Sequence, residues 1–226
     1  FAPAVGPQTV IFPVLNGMHH MDVLTQRFGE RSVLGGVCFV STGVDSQGRI
    51  VQFADFQSLT YGELDGKKTS RIEAVHQEFS GAGFDAAISA DILRDMWQKW
   101  VFLASLGAIT CLFRGTIGEI VAIPGGADLC LSALRECAAI ASACGYPMSE
   151  TFLAEKSAQL TALGSKLSSS MYRDLTEHAR VEVDTILGDL VERGRKQGVF
   201  APIIQAAFVS LSIYQQELTR MKAAGR

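Results

Sequence analysis

The segment DILRDMWQKWVFLASLGAITCLF, residues 91–113, contains the longest apolar run without a charge in this chain. Asp91 is a suitable N-cap residue, and the residues from Trp100 to Phe113 carry no charge. This apolar run is shorter than the roughly 20 residues that a bilayer-spanning helix needs. The segment therefore predicts a buried core helix.

The sequence after this segment remains helical in pattern. We expect a helix over about residues 127–143 that stops at Gly145, and a helix capped by Ser149. A helix opened by Ser170 should end near Gly198, and Pro202 should stand in the first turn of a last helix.

Residues 1–89 have a different pattern, in which short apolar runs alternate with helical spacing. Thr9–Leu15 predicts a buried strand, and Asn16-Gly17 precedes a helix. Further strands are expected over 32–41, 50–56, 58–63 and 84–89, and a helix over 71–79. The sequence thus predicts an α/β domain over residues 1–89 and an all-α domain over residues 90–226.

Composition excludes several classes of protein. The chain has 226 residues, 48% of them apolar, and a net charge of −3, which fits a globular protein and argues against a nucleic-acid partner. The five cysteines form no CxxC pair, and the histidines show no metal-ligand spacing, so we expect reduced thiols, no metal and a cytoplasmic location. No signal peptide is visible, and because the first residue is Phe1 we expect the chain to begin inside a longer protein.

One glycine pattern could be mistaken for a dinucleotide-binding fingerprint. Gly81-Ala82-Gly83-Phe84-Asp85-Ala86 matches GxGxxA. A fingerprint needs a strand before it and a helix after it, because the helix N-terminus binds the pyrophosphate. Here a predicted helix precedes the glycines and a predicted strand follows them, so we interpret the segment as the turn that ends a helix.

Lys99 and Glu182 are the first two candidates for chemistry. Lys99 is aligned with Leu103 and Leu106 on the predicted core helix, and desolvation lowers the pKa of a lysine toward neutrality. It is either a proton donor or a lysine that extends to solvent from the helix edge. Glu182 falls within the apolar stripe of its predicted helix, where it would need a partner such as Lys99, or else it is a surface residue.

Asn16 and Ser170 are the other two candidates. Asn16 follows the predicted strand, at the kind of strand end where α/β sheets bind ligands, although asparagine also suits a turn. Ser170 is most simply the N-cap of its helix, and a helix N-terminus also attracts carboxylates.

Three motifs together resemble one family. Asn16-Gly17-Met18, Trp97-x-Lys99, and Ser169-Ser170-Met171 followed by Asp174 and Glu182 resemble ketopantoate reductase (2-dehydropantoate 2-reductase), as does Gly118-Glu119. The resemblance implies a partial Rossmann-like nucleotide-binding domain, without its glycine-fingerprint segment, followed by an all-helical substrate and dimerisation domain.

The resemblance also implies a role for each candidate. Lys99 would give a proton to the carbonyl oxygen of a 2-oxoacid while a hydride arrives from NADPH. Asn16 would lie between nicotinamide and substrate, Glu182 near the cofactor, and Ser170 at the substrate carboxylate. The implied partners are a small-molecule substrate and a second copy in a homodimer, with no nucleic acid and no membrane.

The chain departs from the family at positions where asparagines are expected to hold the substrate. These positions are occupied by Leu103, Gly107 and Ile117. Leu167 stands at a fourth position, where a polar residue is expected to contact the substrate. We therefore expect a different or less polar substrate. A related hydroxyacid dehydrogenase and a non-catalytic helical interaction module remain alternative interpretations.

Overall fold

A computed structural model describes residues 1–224 of the chain. The chain forms two compact units, Phe1–Met96 and Trp97–Arg226. The division falls inside the helix that the apolar segment predicts, slightly later than the change of pattern near residue 90.

The first unit contains a mixed three-stranded sheet in the order β1-β2-β3. Strand β1 (Leu34–Val44) pairs antiparallel with β2 (Ile50–Glu63), which pairs parallel with β3 (Asp85–Ile88). Helix α2 (Ser70–Phe79) connects the two parallel strands, as such a connection requires. The prediction of two strands between residues 50 and 63 was wrong, because β2 is one strand and contains a bulge. Val40 pairs with Gln57 and Thr42 with Gln52, so residues 53–56 of β2 lie opposite Ser41 alone.

The predicted buried strand Thr9–Leu15 was also wrong. Only Ile11 makes a bridge, to Val33, and Val14 and Leu15 are exposed. Pro13 has no N–H to offer a neighbouring strand, which limits ladder formation in this segment. Asn16 and Gly17 form a bend, with Gly17 at a φ of 79°, and α1 (His19–Phe28) follows as predicted.

The core of the first unit lies between the sheet and α2. Leu34, Tyr61 and Ile72 are fully buried, and Phe12 and Phe79 pack against them. The Tyr61 hydroxyl is 2.8 Å from Nδ1 of His76 on α2, so its polar end has a partner within the core.

The second unit is helical. Its elements are α3 (Ile92–Phe113, which begins in the first unit), α4 (Ile117–Val121), α5 (Gly126–Ala143), α6 (Glu150–Leu160), α7 (Ser170–Thr176), a π-helical segment (Asp184–Gly188), α8 (Asp189–Lys196) and α9 (Pro202–Ala223). Several predicted caps are confirmed. Asp91 Oδ1 accepts from the Arg94 N–H, Ser149 accepts from the Phe152 N–H, and Gly145 ends α5 with a φ of 93°.

The predicted single helix from Ser170 to Gly198 is interrupted. After α7 the His178 N–H donates to Leu175 O and the Ala179 N–H to Asp174 O, with His178 at a φ of 56°. This is a Schellman motif, and it stops the helix. Residues 179–182 are not helical, and the chain becomes helical again at Val183.

Helix α3 is largely buried, as predicted. Its length and composition would allow it to cross a membrane, but 67% of its most apolar window is buried within the protein, which is typical of a core helix. The five cysteines are all free. Burial raises the pKa of the Cys111 and Cys130 thiols to about 11 and that of Cys137 to about 12, so these thiols remain protonated at neutral pH.

Candidate active site

Lys99 lies near the beginning of α3 and is half-buried. Its neighbours Trp97 and Trp100 are almost completely buried, at 2% and 1% exposure. Leu106 on the predicted Lys99 face is buried, whereas Leu103 is half-buried. Lys99 therefore stands at the edge of the core, where a long side chain can keep its ammonium group accessible to a ligand.

Ser170 does not cap α7, contrary to the prediction. The cap is Ser169, whose Oγ accepts from the Tyr172 N–H at 3.0 Å and lies 2.9 Å from Thr110 Oγ1 on α3. Ser169 is buried, so its hydroxyl is used inside the fold. Ser170 is exposed, and its hydroxyl is not needed for capping.

Glu182 is exposed, and the prediction that it lies in a buried apolar stripe was wrong. The helical spacing from Leu175 does not continue to Glu182, because α7 ends before it. The segment that carries Glu182 is held by α9 instead. Tyr214 Oη donates to Ala179 O at 2.7 Å, and Gln215 Oε1 accepts from the Val181 N–H at 3.2 Å.

Asp174 was part of the sequence motif, but only the structure shows its burial and the charged residues that act on it. It is half-buried on α7. Burial raises the pKa of its carboxyl group, and the negative charges of Glu182 and Glu177 raise it further. Asp174 and Glu182 are therefore electrostatic neighbours, although a helix end separates them in sequence.

An aromatic cluster joins the beginning of α3 to the π-helical segment and α8. Trp100 Nε1 donates to Ile186 O in the π-helical segment at 2.9 Å. The Arg193 guanidinium lies 5.8 Å from the Trp97 ring centroid and 5.5 Å from that of Trp100, and Arg193 Nε is 3.1 Å from Asp189 Oδ2. No sequence spacing indicated the hydrogen bond from Trp100 to Ile186.

Asn16 belongs to the first unit, at the bend before α1, and is half-buried. The glycines of the GxGxxA pattern follow α2 and precede β3, with Gly81 and Gly83 at positive φ. The order helix, glycines, strand is as predicted, so this segment does not form a pyrophosphate-binding turn.

Comparison with known proteins shows the family. Two family profiles match this chain: "Ketopantoate reductase PanE/ApbA C terminal" over residues 91–215 and "Ketopantoate reductase PanE/ApbA" over residues 1–66. The chain belongs to the ketopantoate reductase family. The resemblance found in the sequence is thereby confirmed, together with the α/β fold followed by a helical domain.

Two relatives and one solved structure are similar to this chain. The chain is 30% identical to the uncharacterized oxidoreductase YkpB of Bacillus subtilis over 95% of its own length and 71% of that protein. It is 28% identical to a 2-dehydropantoate 2-reductase of Halobacterium salinarum, over 90% of the chain and 68% of that enzyme. A solved structure of D-mandelate dehydrogenase with NADH and anilino(oxo)acetate has the same fold, with a TM-score of 0.82 at 18% identity over 96% of this chain and 71% of the other.

Two of the positions at which this ketopantoate reductase family member lacks the expected asparagines lie in the packed core. A Cβ atom at Gly107 would lie 2.3 Å from the methyl carbon of Met171, which is 1% exposed. Ile117 is fully buried, and its N–H donates to Leu167 O at 2.9 Å. Among Leu103, Gly107 and Ile117, therefore, only Leu103 is partly accessible.

Proposed function

We propose that this protein is an NADPH-dependent reductase of a 2-oxo acid, with Lys99 as the proton donor. The observation that carries the proposal is the half-buried position of Lys99 near the beginning of α3 in a chain of the ketopantoate reductase family. A lysine at the edge of a core can present its charge to a bound substrate while its aliphatic stem packs on apolar neighbours.

The reaction reduces a carbonyl group by two electrons. The carbonyl carbon accepts a hydride, its π electrons move to the oxygen, and the Lys99 ammonium gives that oxygen a proton, which yields a 2-hydroxy acid. General acid catalysis of this kind typically contributes about 10²–10⁴-fold to the rate. The positive charge of Lys99 also stabilises the negative charge that develops on the oxygen.

Ser170 and Glu182 are proposed to act on the same substrate. The exposed Ser170 hydroxyl would donate to the substrate carboxylate, while the buried Ser169 fixes the turn that presents it. Glu182 would orient Lys99 and contact the cofactor. Its exposed position suits this role, because a cofactor can reach a side chain at the surface.

A reduced nicotinamide, when bound, would supply the hydride. Asn16 fits the nicotinamide end of such a cofactor, because it is a half-buried amide able to both donate and accept hydrogen bonds. The glycines at 81–86 do not fit the pyrophosphate, for the reason of element order given above. We therefore assign only Asn16 and Glu182 to cofactor binding.

The test uses the protein expressed from the complete reading frame that encodes this chain. Oxidation of NADPH and of NADH is followed by absorbance with a panel of 2-oxo acids. We expect turnover with NADPH, and a decrease in kcat of about 10²–10⁴-fold in Lys99→Ala.

Lys156→Ala is the matched control. Lys156 is also a half-buried lysine of the helical unit, and its Nζ pairs with Glu155 at 2.7 Å and lies 5.0 Å from the Phe102 ring centroid. Its loss should leave kcat unchanged. The proposal fails if the wild-type protein reduces no 2-oxo acid, or if the two lysine variants are equally active.

We also propose that the protein forms a homodimer through α9. Val209 and Ile213 are 47% and 53% exposed, and Phe200, before the helix, is 86% exposed. Two grooves of about 790 and 770 Å³ share Val209 and Ile213 in their walls. An exposed apolar helix face between two grooves suits a self-complementary contact with a second copy.

A further inference from the structure

On the side of α3 that carries Lys99, the side chains after Lys99 offer a substrate no hydrogen bond for almost three turns. Residues four and eight positions after Lys99 lie on the same side of the helix, and these are Leu103 and Gly107. Leu103 is half-buried and Gly107 is buried. A substrate held at the Lys99 ammonium and extending along this side of α3 meets Leu103 first.

The space beside Gly107 is already filled. The Met171 methyl group lies where a side chain at position 107 would begin, and Met171 is itself almost fully buried. Met171 immediately follows Ser169 and Ser170 at the start of α7. The contact between α3 and α7 at Gly107 is therefore made by the apolar side chain of Met171.

The first polar side chain farther along is Thr110, whose hydrogen bonds are made within the fold. Its Oγ1 donates to Leu106 O at 2.7 Å and is 2.9 Å from Ser169 Oγ, and it is fully buried. Ser169 Oγ also accepts from the Tyr172 N–H. Neither hydroxyl is available to a ligand without breaking a buried bond.

We infer that the substrate is a 2-oxo acid whose side chain is a branched or aromatic hydrocarbon without a hydroxyl group, and that Leu103 determines this specificity. The inference rests on the proposed function and names its substrate class. A substrate hydroxyl placed against Leu103 would lose its water partners and gain none.

The test compares two substrates that differ by one hydroxyl group, 3,3-dimethyl-2-oxobutanoate and its 4-hydroxy derivative, 2-dehydropantoate. In the wild-type protein we expect kcat/KM to be roughly 10- to 100-fold higher for the compound without the hydroxyl. In Leu103→Asn the added amide can bond the hydroxyl, so this ratio should decrease at least tenfold.

Leu112→Asn is the control variant. Leu112 is another half-buried leucine of α3, nine positions after Leu103 and so on the opposite side of the helix. It should leave the ratio unchanged. If Leu103→Asn does not fold, the wild-type ratio still decides the question.

The outcomes separate this inference from the proposed function. A wild-type protein that prefers 2-dehydropantoate, or a ratio that Leu103→Asn and Leu112→Asn change equally, would overturn the inference and leave the reductase assignment standing. A protein that reduces neither these compounds nor any other 2-oxo acid would overturn both.

Discussion

Asp174 holds its proton more tightly in the folded chain than an ordinary aspartate does. Burial is the largest cause, and the charges of Glu182 and Glu177 add to it, against the attraction of Arg173. A pKa above the reference value of 3.8 means that the folded state favours the neutral carboxyl. The contribution of this group to stability is complete below that reference value and is lost as the pH rises through the raised pKa.

Replacing Asp174 with asparagine should therefore stabilise the protein at neutral pH. We expect Asp174→Asn to have a higher Tm than the wild type at pH 7, and the difference to vanish below about pH 4, where both proteins carry a neutral group. Thermal unfolding followed by circular dichroism across this range measures the effect. Glu217→Gln, an exposed carboxylate on α9, should show no such pH-dependent gain, and a destabilised Asp174→Asn at pH 7 would contradict the prediction.

Single residues also mark where sequence reasoning succeeds. Asp91, Ser149 and Gly145 were predicted correctly because a helix cap depends on a few neighbouring residues. Glu182 was misplaced because its burial was inferred from helical spacing across His178. A histidine at positive φ is uncommon, so the presence of His178 in the sequence does not predict that a helix ends there.

Helix α9 begins without a cap of its own. Its N-cap residue is Ala201, which has no side-chain acceptor, and Pro202 follows it. The missing acceptor comes from α5, where Glu136 Oε2 accepts from the N–H groups of Ile203 and Ile204 at 3.0 Å each. A carboxylate at this position also interacts favourably with the helix dipole.

Loss of this carboxylate should destabilise the helical unit. We expect Glu136→Ala to lower the free energy of unfolding by about 1–2 kcal/mol, which corresponds to a decrease in Tm of roughly 2–8 °C for a chain of this size. Arg135→Ala, at the exposed neighbouring position, should change Tm by much less. Equal Tm values for the two variants would show that the cap contributes little.

Elements were predicted well where their pattern is local and poorly where they depend on neighbours. The core helix α3 follows from its own composition. Thr9–Leu15 has a strand-forming composition, but a strand exists only through its pairing, and here only Ile11 pairs. The π-helical segment and the hydrogen bond from Trp100 to Ile186 depend on distant residues, so the sequence alone did not indicate them.

At the scale of the whole molecule, the proposed homodimer can be tested by charge insertion on α9. Ile213→Asp should convert a dimer to a monomer in sedimentation equilibrium, because a buried unpaired charge opposes association. Phe53→Asp is the matched control, since Phe53 is similarly exposed at 57%, against 53% for Ile213, but lies on β2. A wild-type monomer, or a dimer that only Phe53→Asp dissociates, would refute α9 as the interface.

The family could be predicted from the sequence, whereas the accessibility of the site residues could not. Motif order over the whole chain was enough to identify the family, because short motifs in a fixed order are specific even when each alone is weak. The accessibility of Leu103, and the inaccessibility of the positions at 107 and 117, required coordinates, because packing by Met171 and by the core is not encoded in helical spacing.

The π-helical segment has a consequence for how this helix tolerates changes of length. A π-turn contains about one residue more than an α-turn. Deleting one residue between Asp184 and Gly188 would remove this surplus and let the backbone relax to regular α geometry, with α8 in nearly its present phase. Arg193 would then keep its place beside the indole rings of Trp97 and Trp100, whereas deleting a residue of α8 before Arg193 would rotate Arg193 away from them by about 100°.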